Sequence, residues 1–256
     1  MVPAMKDPRS ILITGASSGI GAALARAYAA PGVRLALGGR DAGRLGEIAA
    51  DCRARSAEVD AATVDVTDAA ATARWIAAAD ETEPLDLVIA NAGISGGTFG
   101  GGESREQAAA IFAANVGGII HTVHPAAERM RARRQGQIAI MSSLASFRGM
   151  PGAPAYSASK AAARSYGEAL RGTMHQHNVG VTVICPGFIR TPMTDVNGFR
   201  MPMLMEADRA ARLIRRGLAR NRARIAFPFR LYALAWLLGA LPPSWTDPVL
   251  RRMPEK

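Results

Sequence analysis

The sequence predicts a single α/β domain over residues 1–256, doubly wound around a parallel sheet of about seven strands, with helices on both faces. Three observations support this fold class. Short apolar runs recur along the whole chain, and Ala-, Arg- and Glu-rich segments of helical period separate them. Each parallel strand needs a crossover before the next one, so this alternation predicts a parallel sheet. The length of 256 residues suits one large α/β domain.

The predicted strands are seven runs rich in Val, Ile, Leu and Ala. Ligands in doubly wound sheets bind beyond the carboxyl ends of the strands, so functional residues are expected directly after each run. In chain order, the runs cover residues 10–14, 33–39, 61–66, 85–91, 136–143, 179–186 and 223–228.

The formal net charge of +10 comes almost entirely from arginine, because the only lysines are Lys6, Lys160 and Lys256. The first interpretation of this arginine excess is a bias in genomic base composition. A high pI by itself indicates non-specific association and says nothing about the fold. The alternative is that the basic clusters at 128–134 and 209–224 meet phosphate or an anionic membrane surface. They are not accompanied by a nucleic-acid motif, so no nucleic-acid partner is predicted.

The two cysteines predict neither a disulfide framework nor a zinc site. Cys52 and Cys185 lie far apart in the sequence, and neither has a second cysteine at metal-ligand spacing. Cys185 belongs to an apolar run and is expected to be a buried small residue. With no signal peptide ahead of them, these cysteines favour a reducing, cytoplasmic location.

The first predicted strand is followed by TGASSGIG, in which Gly15, Gly19 and Gly21 open a helix. Glycine suits a backbone that turns sharply or approaches a pyrophosphate closely, and the N-terminus of a helix offers free N–H groups. A glycine-rich turn between a strand and a helix near the start of a βαβ unit predicts a dinucleotide site.

The second strand is followed by Gly39 and Arg40, where an NAD site would carry an acidic residue for the ribose hydroxyls. A guanidinium there suits a 2′-phosphate, so NADP (NADPH) is predicted and NAD is less favoured. The alternative leaves Arg40 in solvent and gives the ribose hydroxyls to Asp41.

Further motifs follow the later strands, and together they resemble the short-chain dehydrogenase/reductases over roughly residues 8 to 192. The resemblance implies a Rossmann fold and hydride transfer between a nicotinamide cofactor and a carbonyl or secondary alcohol, in a homodimer or homotetramer. The short chain resembles the compact members of the family. The motifs after TGASSGIG are DVTD at 65–68, NAG at 91–93, Asn115, SS at 142–143, YSASK at 156–160 and PGFIRT at 186–191.

The resemblance assigns four catalytic residues. Tyr156 would be the general acid, and Lys160, one helical turn further, would lower the pKa of the phenol and hold the nicotinamide ribose. Ser143 would bond the substrate oxygen, with Ser142 as its competitor, because side chains alternate along a strand. Asn115 would hold a helix kink and a water that links Lys160 to solvent.

The resemblance also assigns the cofactor contacts, from the glycine-rich turn to the segment after the sixth strand. No metal is predicted, because His121 and His124 lack a carboxylate pattern beside them. The predicted cofactor residues are Gly15, Ser17, Ser18, Gly19, Ile20, Gly21, Arg40, Asp65, Val66, Asn91, Ala92, Gly93, Tyr156, Lys160, Pro186, Gly187, Ile189 and Thr191.

Two segments would shape the substrate side. Residues 191–207 would form the substrate loop, whose methionines and Phe199 suit a hydrophobic substrate. Residues 229–256 form a C-terminal extension unlike that of many family members. Its apolar stretch 231–241 is too short to span a bilayer. The extension therefore covers the crevice, forms a subunit interface or lies on a membrane as a monotopic anchor, and the first two are favoured.

A rival function is that of a non-catalytic NADP-binding sensor or scaffold. Such a protein would keep the dinucleotide site without turnover. The joint presence of Ser143, Tyr156 and Lys160 favours an enzyme acting on a small-molecule carbonyl or alcohol.

Overall fold

The structure is a computed structural model that describes residues 2, 5–96, 102–196, 198–199 and 201–251. Residues 197 and 200 of the predicted substrate loop and residues 252–256 of the C-terminal extension lie outside the described residues.

The core is a parallel sheet of seven strands in the order β3-β2-β1-β4-β5-β6-β9, which confirms the predicted doubly wound fold. A separate parallel pair joins β7, directly before the substrate loop, to β8 near the end of that loop. The strands are β1 (Ser10–Thr14), β2 (Arg34–Gly39), β3 (Glu58–Thr63), β4 (Leu87–Ala90), β5 (Gln137–Met141), β6 (Gly180–Pro186), β7 (Ile189–Arg190), β8 (Met205–Glu206) and β9 (Arg224–Phe227).

Helices return the chain between successive strands of the sheet. A π-helix at Ala113–Gly117 joins the fourth and fifth helices, and a 3₁₀ turn at Leu144–Ser146 follows β5. The α-helices are α1 (Gly19–Tyr28), α2 (Ala42–Arg53), α3 (Ala69–Thr82), α4 (Arg105–Phe112), α5 (Gly118–Arg133), α6 (Pro154–His175), α7 (Pro192–Asp195), α8 (Ala207–Leu218), α9 (Phe229–Ala240) and α10 (Pro243–Leu250).

Two apolar layers sandwich the sheet. Helices α1, α2 and α8 pack on one face, where Leu24 and Ile214 are fully buried, and α3, α5 and α6 cover the other, around Ile76 and Val123. A smaller cluster forms where α9 packs beside β6 and the 3₁₀ turn. The sheet order reverses between β1 and β4, and this reversal opens a crevice at their carboxyl ends.

The third predicted strand was misplaced. It was expected at 61–66, but β3 is Glu58–Thr63. Because β3 is an edge strand, it pairs with β2 alone and most of its residues are exposed, so it has no continuous apolar run. Val66, which ended the predicted run, instead lies against Gly118 at the start of α5.

Candidate active site

A crevice of about 800 Å³ runs along the carboxyl ends of the strands. It contains all but one of the predicted cofactor residues, together with Ser143. Its lining residues include Gly15, Ser17, Ser18, Gly19, Ile20, Arg40, Asp65, Val66, Asn91, Ala92, Gly93, Tyr156, Lys160, Pro186, Gly187, Ile189 and Thr191.

The glycine-rich turn has the shape of a cradle for a pyrophosphate. Gly15 has φ +67°, and a Cβ there would lie 2.8 Å from the Cα of Ala92 on the opposite wall. Gly19, with φ +55°, begins α1, so the free N–H groups of that helix are at the crevice. Glycine at these two positions lets the turn adopt positive φ and lie close to Ala92 and Thr191, which fits a pyrophosphate-binding turn.

Gly21 is the predicted cofactor residue that does not line the crevice. It is buried in α1, and a Cβ there would overlap the carbonyl oxygen of Gly15. Its part in the turn is therefore packing: the missing side chain lets α1 close on the strand that precedes it.

Guanidinium groups surround the end of the crevice beyond β2. Arg40 is exposed there and lies close enough to Asp65 to help lower the pKa of that carboxyl, although hydrogen bonds from Thr67 are the main cause. Asp41 caps α2 by accepting a hydrogen bond from Arg44 N at 3.0 Å, and it also pairs with Arg44 Nε at 2.8 Å. The Asp41 carboxylate is thus already engaged within its own helix turn.

Ser143 and Tyr156 lie together at the other end of the crevice. Their side chains are hydrogen-bonded, which acts to lower the pKa of the phenol, but burial has the larger effect and raises that pKa. The hydroxyl of Ser143 also accepts from Ala145 N at 3.1 Å. Both hydroxyl groups therefore face one point, at which a substrate oxygen can bind.

Lys160 is buried one turn along α6 from Tyr156. Its Nζ donates to the carbonyl oxygen of Met141 at 3.2 Å and lies 5.7 Å from the centroid of the Tyr156 ring. Burial lowers the pKa of Lys160 to about 8. Burial and the Ser143 hydrogen bond are the causes that act on the Tyr156 pKa in this arrangement, and the lowering by Lys160 stays a prediction.

The two serines after β5 point to opposite sides. Ser142 is buried, and its Oγ donates to the carbonyl oxygen of Lys160 at 2.7 Å, which ties the strand to α6. Ser143 faces the crevice. The strand alternation thus places Ser143 at the candidate site and gives Ser142 a structural hydrogen bond.

Asn115 is fully buried in the π-helix between α4 and α5. Its side-chain amide accepts from Ile94 N at 2.8 Å and donates to Ile94 O at 2.9 Å and to Ser159 Oγ at 3.0 Å. It does not line the crevice, although its Oδ1 and the Nζ of Lys160 both lie close to Gly93. Asn115 therefore fastens the segment after β4 to α6.

A second cavity, of about 700 Å³, adjoins the first. Ser143, Tyr156, Gly187, Met193 and Thr194 line both cavities, so the two hydroxyl groups stand at their boundary. The rest of the second cavity is mainly apolar. Its walls come from the segment after β5, from the substrate loop and from α9, including Leu144, Met150, Phe188, Phe199, Met201, Met203, Leu231, Leu234 and Leu238.

The C-terminal helices close one side of the second cavity. Helix α9 packs so closely that a Cβ at Gly239 would overlap the carbonyl oxygen of Phe147. Helix α10 is held by Arg148, which donates to Asp247 Oδ1 at 2.8 Å and to Thr246 Oγ1 at 3.2 Å. The inner face of α9 is thus a wall of the cavity.

Glu103 is a site residue that the sequence analysis missed. Its carboxylate accepts hydrogen bonds from Ala155 N at 2.5 Å and Tyr156 N at 3.2 Å, in the first turn of α6. These N–H groups have no partner within their own helix. The only sequence signal was an acidic residue in the glycine-rich segment before α4, and nothing there indicates which distant helix it caps.

The two histidines that could suggest a metal have other contacts. His121 Nδ1 lies 2.8 Å from the carbonyl oxygen of Val66, and the His124 ring stacks on Tyr166. Among the described residues, no group of three or more His, Cys, Asp or Glu side chains is arranged to hold a metal ion. Cys52 and Cys185 are free and buried.

The fold and the crevice together define a nicotinamide-dependent oxidoreductase of the doubly wound class. The family model for short chain dehydrogenase matches residues 9–198. An uncharacterized oxidoreductase of Myxococcus xanthus is 39% identical over 246 residues, covering 96% of this chain and 97% of the relative. An uncharacterized oxidoreductase of Mycobacterium tuberculosis is 36% identical over 244 residues, covering 93% and 96%. The chain belongs to the short-chain dehydrogenase family.

Solved structures agree with this assignment. A short chain dehydrogenase/reductase from Burkholderia phymatum, in complex with NAD, has a TM-score of 0.81 at 26% identity, covering 98% of each chain. A short-chain dehydrogenase from Sphingobium yanoikuyae, in complex with NADPH, has a TM-score of 0.79 at 26% identity, covering 96% of each. A nicotinamide cofactor is thereby supported for this chain, with either form found among its neighbours.

Proposed function

We propose that this oxidoreductase uses NADPH to reduce an apolar ketone, or NADP to oxidise the matching secondary alcohol. The main support for this proposal is the position of Ser143 and Tyr156 at the boundary of the two cavities. A carbonyl oxygen bound between these hydroxyls has its carbon at the cofactor crevice and its substituents in the apolar cavity. The matched relatives are oxidoreductases, and the rival function of a non-catalytic sensor or scaffold finds no support among them.

The cofactor, when bound, supplies or accepts the hydride. Tyr156 gives its hydroxyl proton to the substrate oxygen, and Ser143 donates a hydrogen bond that stabilises the charge developing there. Burial raises the pKa of Tyr156, so the phenol is protonated at neutral pH and can act as the general acid of the reductive step. We further propose that Lys160 holds the cofactor and that Asn115 holds a water linking Lys160 to solvent, through which the proton is replaced; Asn115 Oδ1 and Lys160 Nζ both lie close to Gly93.

The preference for NADPH rests on the charges near the adenosine end. Arg40 and Arg44 both line the crevice beyond β2, while Asp41 is occupied as the cap of α2. A 2′-phosphate is attracted by two guanidinium groups, and a charge-assisted bond to each adds affinity. Gly39 stands where an NAD site would have a carboxylate to bind the two ribose hydroxyls.

The apolar substrate class follows from the walls of the second cavity. Three of the four methionines in the substrate loop, Met193, Met201 and Met203, line it together with α9. Arg148, the charged residue on its wall, is engaged by Asp247. Burial of apolar substrate surface therefore provides most of the binding free energy.

The test is a panel of ketones of increasing apolar size, with keto acids as polar controls, measured by absorbance of the reduced nicotinamide. Turnover should rise with apolar size up to the limit of the cavity, and kcat/KM should be higher with NADPH than with NADH. Confirmed cofactor binding without turnover of any panel member would contradict the proposed activity.

For the assembled enzyme we propose a cytoplasmic homodimer or homotetramer. Two buried cysteines without a disulfide suit a reducing compartment. Sedimentation velocity in dilute solution measures the number of subunits, and a monomer at micromolar concentration would contradict this proposal.

A further inference from the structure

The exposed large apolar side chains of the protein are concentrated around the second cavity. Among the described residues ten such side chains are exposed, and all but Phe112 and Ile120 lie between residues 193 and 245. Met193, Met203 and Leu234 line the cavity and are also exposed, so its rim is apolar at the surface. An apolar patch of this extent marks a docking surface.

Helix α9 continues this patch on its outer face, which we define as Phe229, Ala233, Trp236, Leu237 and Ala240. These positions recur with helical period, and every one of them is exposed. Trp236 and Leu237 are 54% and 49% exposed. The inner face of α9 lines the cavity, so the helix is apolar on both sides.

The charge around this face distinguishes between partners. The chain has a formal net charge of +10, and the exposed Arg230 is the one charged residue of α9. Two copies joined by a two-fold axis would bring like-charged surfaces together, which is unfavourable. An anionic lipid surface instead attracts Arg230 and the positively charged chain as a whole, and tryptophan prefers the boundary between headgroups and acyl chains.

We propose that the outer face of α9 docks on an anionic lipid surface and turns the apolar rim of the second cavity toward the bilayer. The twelve residues of α9 are about 18 Å long at 1.5 Å per residue, shorter than the ~30 Å hydrocarbon core. None of the described helices meets the length and hydropathy that crossing a bilayer requires. The helix is therefore expected to lie in the plane of the interface rather than across the bilayer.

Because the apolar rim of the second cavity faces the bilayer in this arrangement, the contact would also serve substrate uptake. An apolar ketone partitions into lipid, and a cavity that opens onto the bilayer can take it up without passage through water. This last step rests on the proposed function, whereas lipid docking does not, because it is measured without cofactor or substrate.

Vesicle flotation of the full chain tests the docking, with phosphatidylcholine vesicles that contain or lack phosphatidylglycerol. The protein should float with the anionic vesicles at low salt and much less at high salt. Tryptophan emission should shift to the blue and be quenched by brominated lipid, because Trp236 and Trp245 are exposed in the free protein while Trp75 is nearly buried.

Paired variants separate the outer face of α9 from the general basicity of the chain. Trp236→Ser/Leu237→Ser should weaken vesicle binding by about tenfold or more, since it removes two large apolar groups, whereas Phe112→Ser on α4 should not. Arg230→Glu should weaken binding more than Arg212→Glu on α8, which changes net charge equally.

Three outcomes would overturn the proposal. The first is equal weakening by the two charge variants, and the second is vesicle binding that survives Trp236→Ser/Leu237→Ser. The third is a dimer in solution that this double variant splits, combined with no vesicle binding, which would assign the face to a second copy of the chain.

Discussion

Lys160 should cost stability in the cofactor-free protein, and Lys160→Met measures that cost. Burial lowers the pKa of Lys160 to about 8 from an ordinary value of 10.5, and each pKa unit corresponds to about 1.4 kcal/mol. The buried charge is thus unfavourable by about 3.5 kcal/mol at most. Methionine fills the same space but leaves the Met141 carbonyl without its donor, which costs about 1 kcal/mol. We expect Lys160→Met to raise the free energy of unfolding by about 2 kcal/mol at pH 7.

The pH dependence gives this prediction a distinctive signature. Below about pH 8 Lys160 is charged in both states, so the full penalty is present. Between about pH 8 and 10.5 the folded state has lost the proton while the unfolded state keeps it, so the stability of the unmodified protein rises with pH relative to the variant. The advantage of Lys160→Met is therefore largest at neutral pH and shrinks across this window.

Urea unfolding followed by tryptophan fluorescence at pH 7, 8, 9 and 10 measures both effects. Lys6→Met is the matched control, since Lys6 is exposed and its removal should change stability little. A Lys160→Met variant less stable than the unmodified protein at pH 7, or an advantage that stays constant to pH 10, would refute the reasoning.

Three further variants probe the cofactor preference, the start of α6 and the glycine-rich turn. Arg40→Asp should weaken NADPH binding by about tenfold or more, because it replaces a guanidinium that donates to the 2′-phosphate by a carboxylate that repels it. A fluorescence titration measures both cofactors, and equal NADPH and NADH affinities in the unmodified protein would contradict this prediction. Glu103→Ala should lower kcat by about tenfold with cofactor affinity unchanged, and Glu103→Gln should restore part of it; steady-state kinetics with equal kcat for all three would refute the role. Gly21→Ala should destabilise by about 3 kcal/mol through overlap with Gly15, whereas Gly46→Ala, with open space around it, should stabilise by about 0.5–1 kcal/mol in thermal unfolding.

The sequence indicated the fold because the central strands are buried on both faces. The first strand was predicted at its observed bounds, Ser10–Thr14, and all five of its residues are buried. The edge strand β3 was misplaced by three residues, since exposure removes the apolar run that marks a strand. Helix α9 was recognised as apolar from the sequence. Which of its faces meets the cavity depends on the position of β9 in the sheet, because α9 follows that strand directly.

The candidate site was predictable where residues follow strands directly, and less so where contacts join distant segments. Ser143 and Arg40 are of the first kind. Glu103 is of the second, because its partners lie more than fifty residues later on α6. Gly21 was predicted as a cofactor contact but does not line the crevice, and a sequence motif does not distinguish a glycine that faces a ligand from one that lets a helix pack.

The most direct test of the proposed chemistry is the turnover of Tyr156→Phe with a ketone from the panel, with NADPH affinity measured separately. Loss of the hydroxyl should lower kcat by about 100-fold or more, the usual contribution of a general acid, and leave NADPH affinity within about twofold. Tyr166→Phe is the control on the same helix, because Tyr166 stacks on His124 and is not among the residues lining either cavity. A Tyr156→Phe enzyme that keeps most of its kcat would contradict the central claim that this hydroxyl protonates the substrate oxygen.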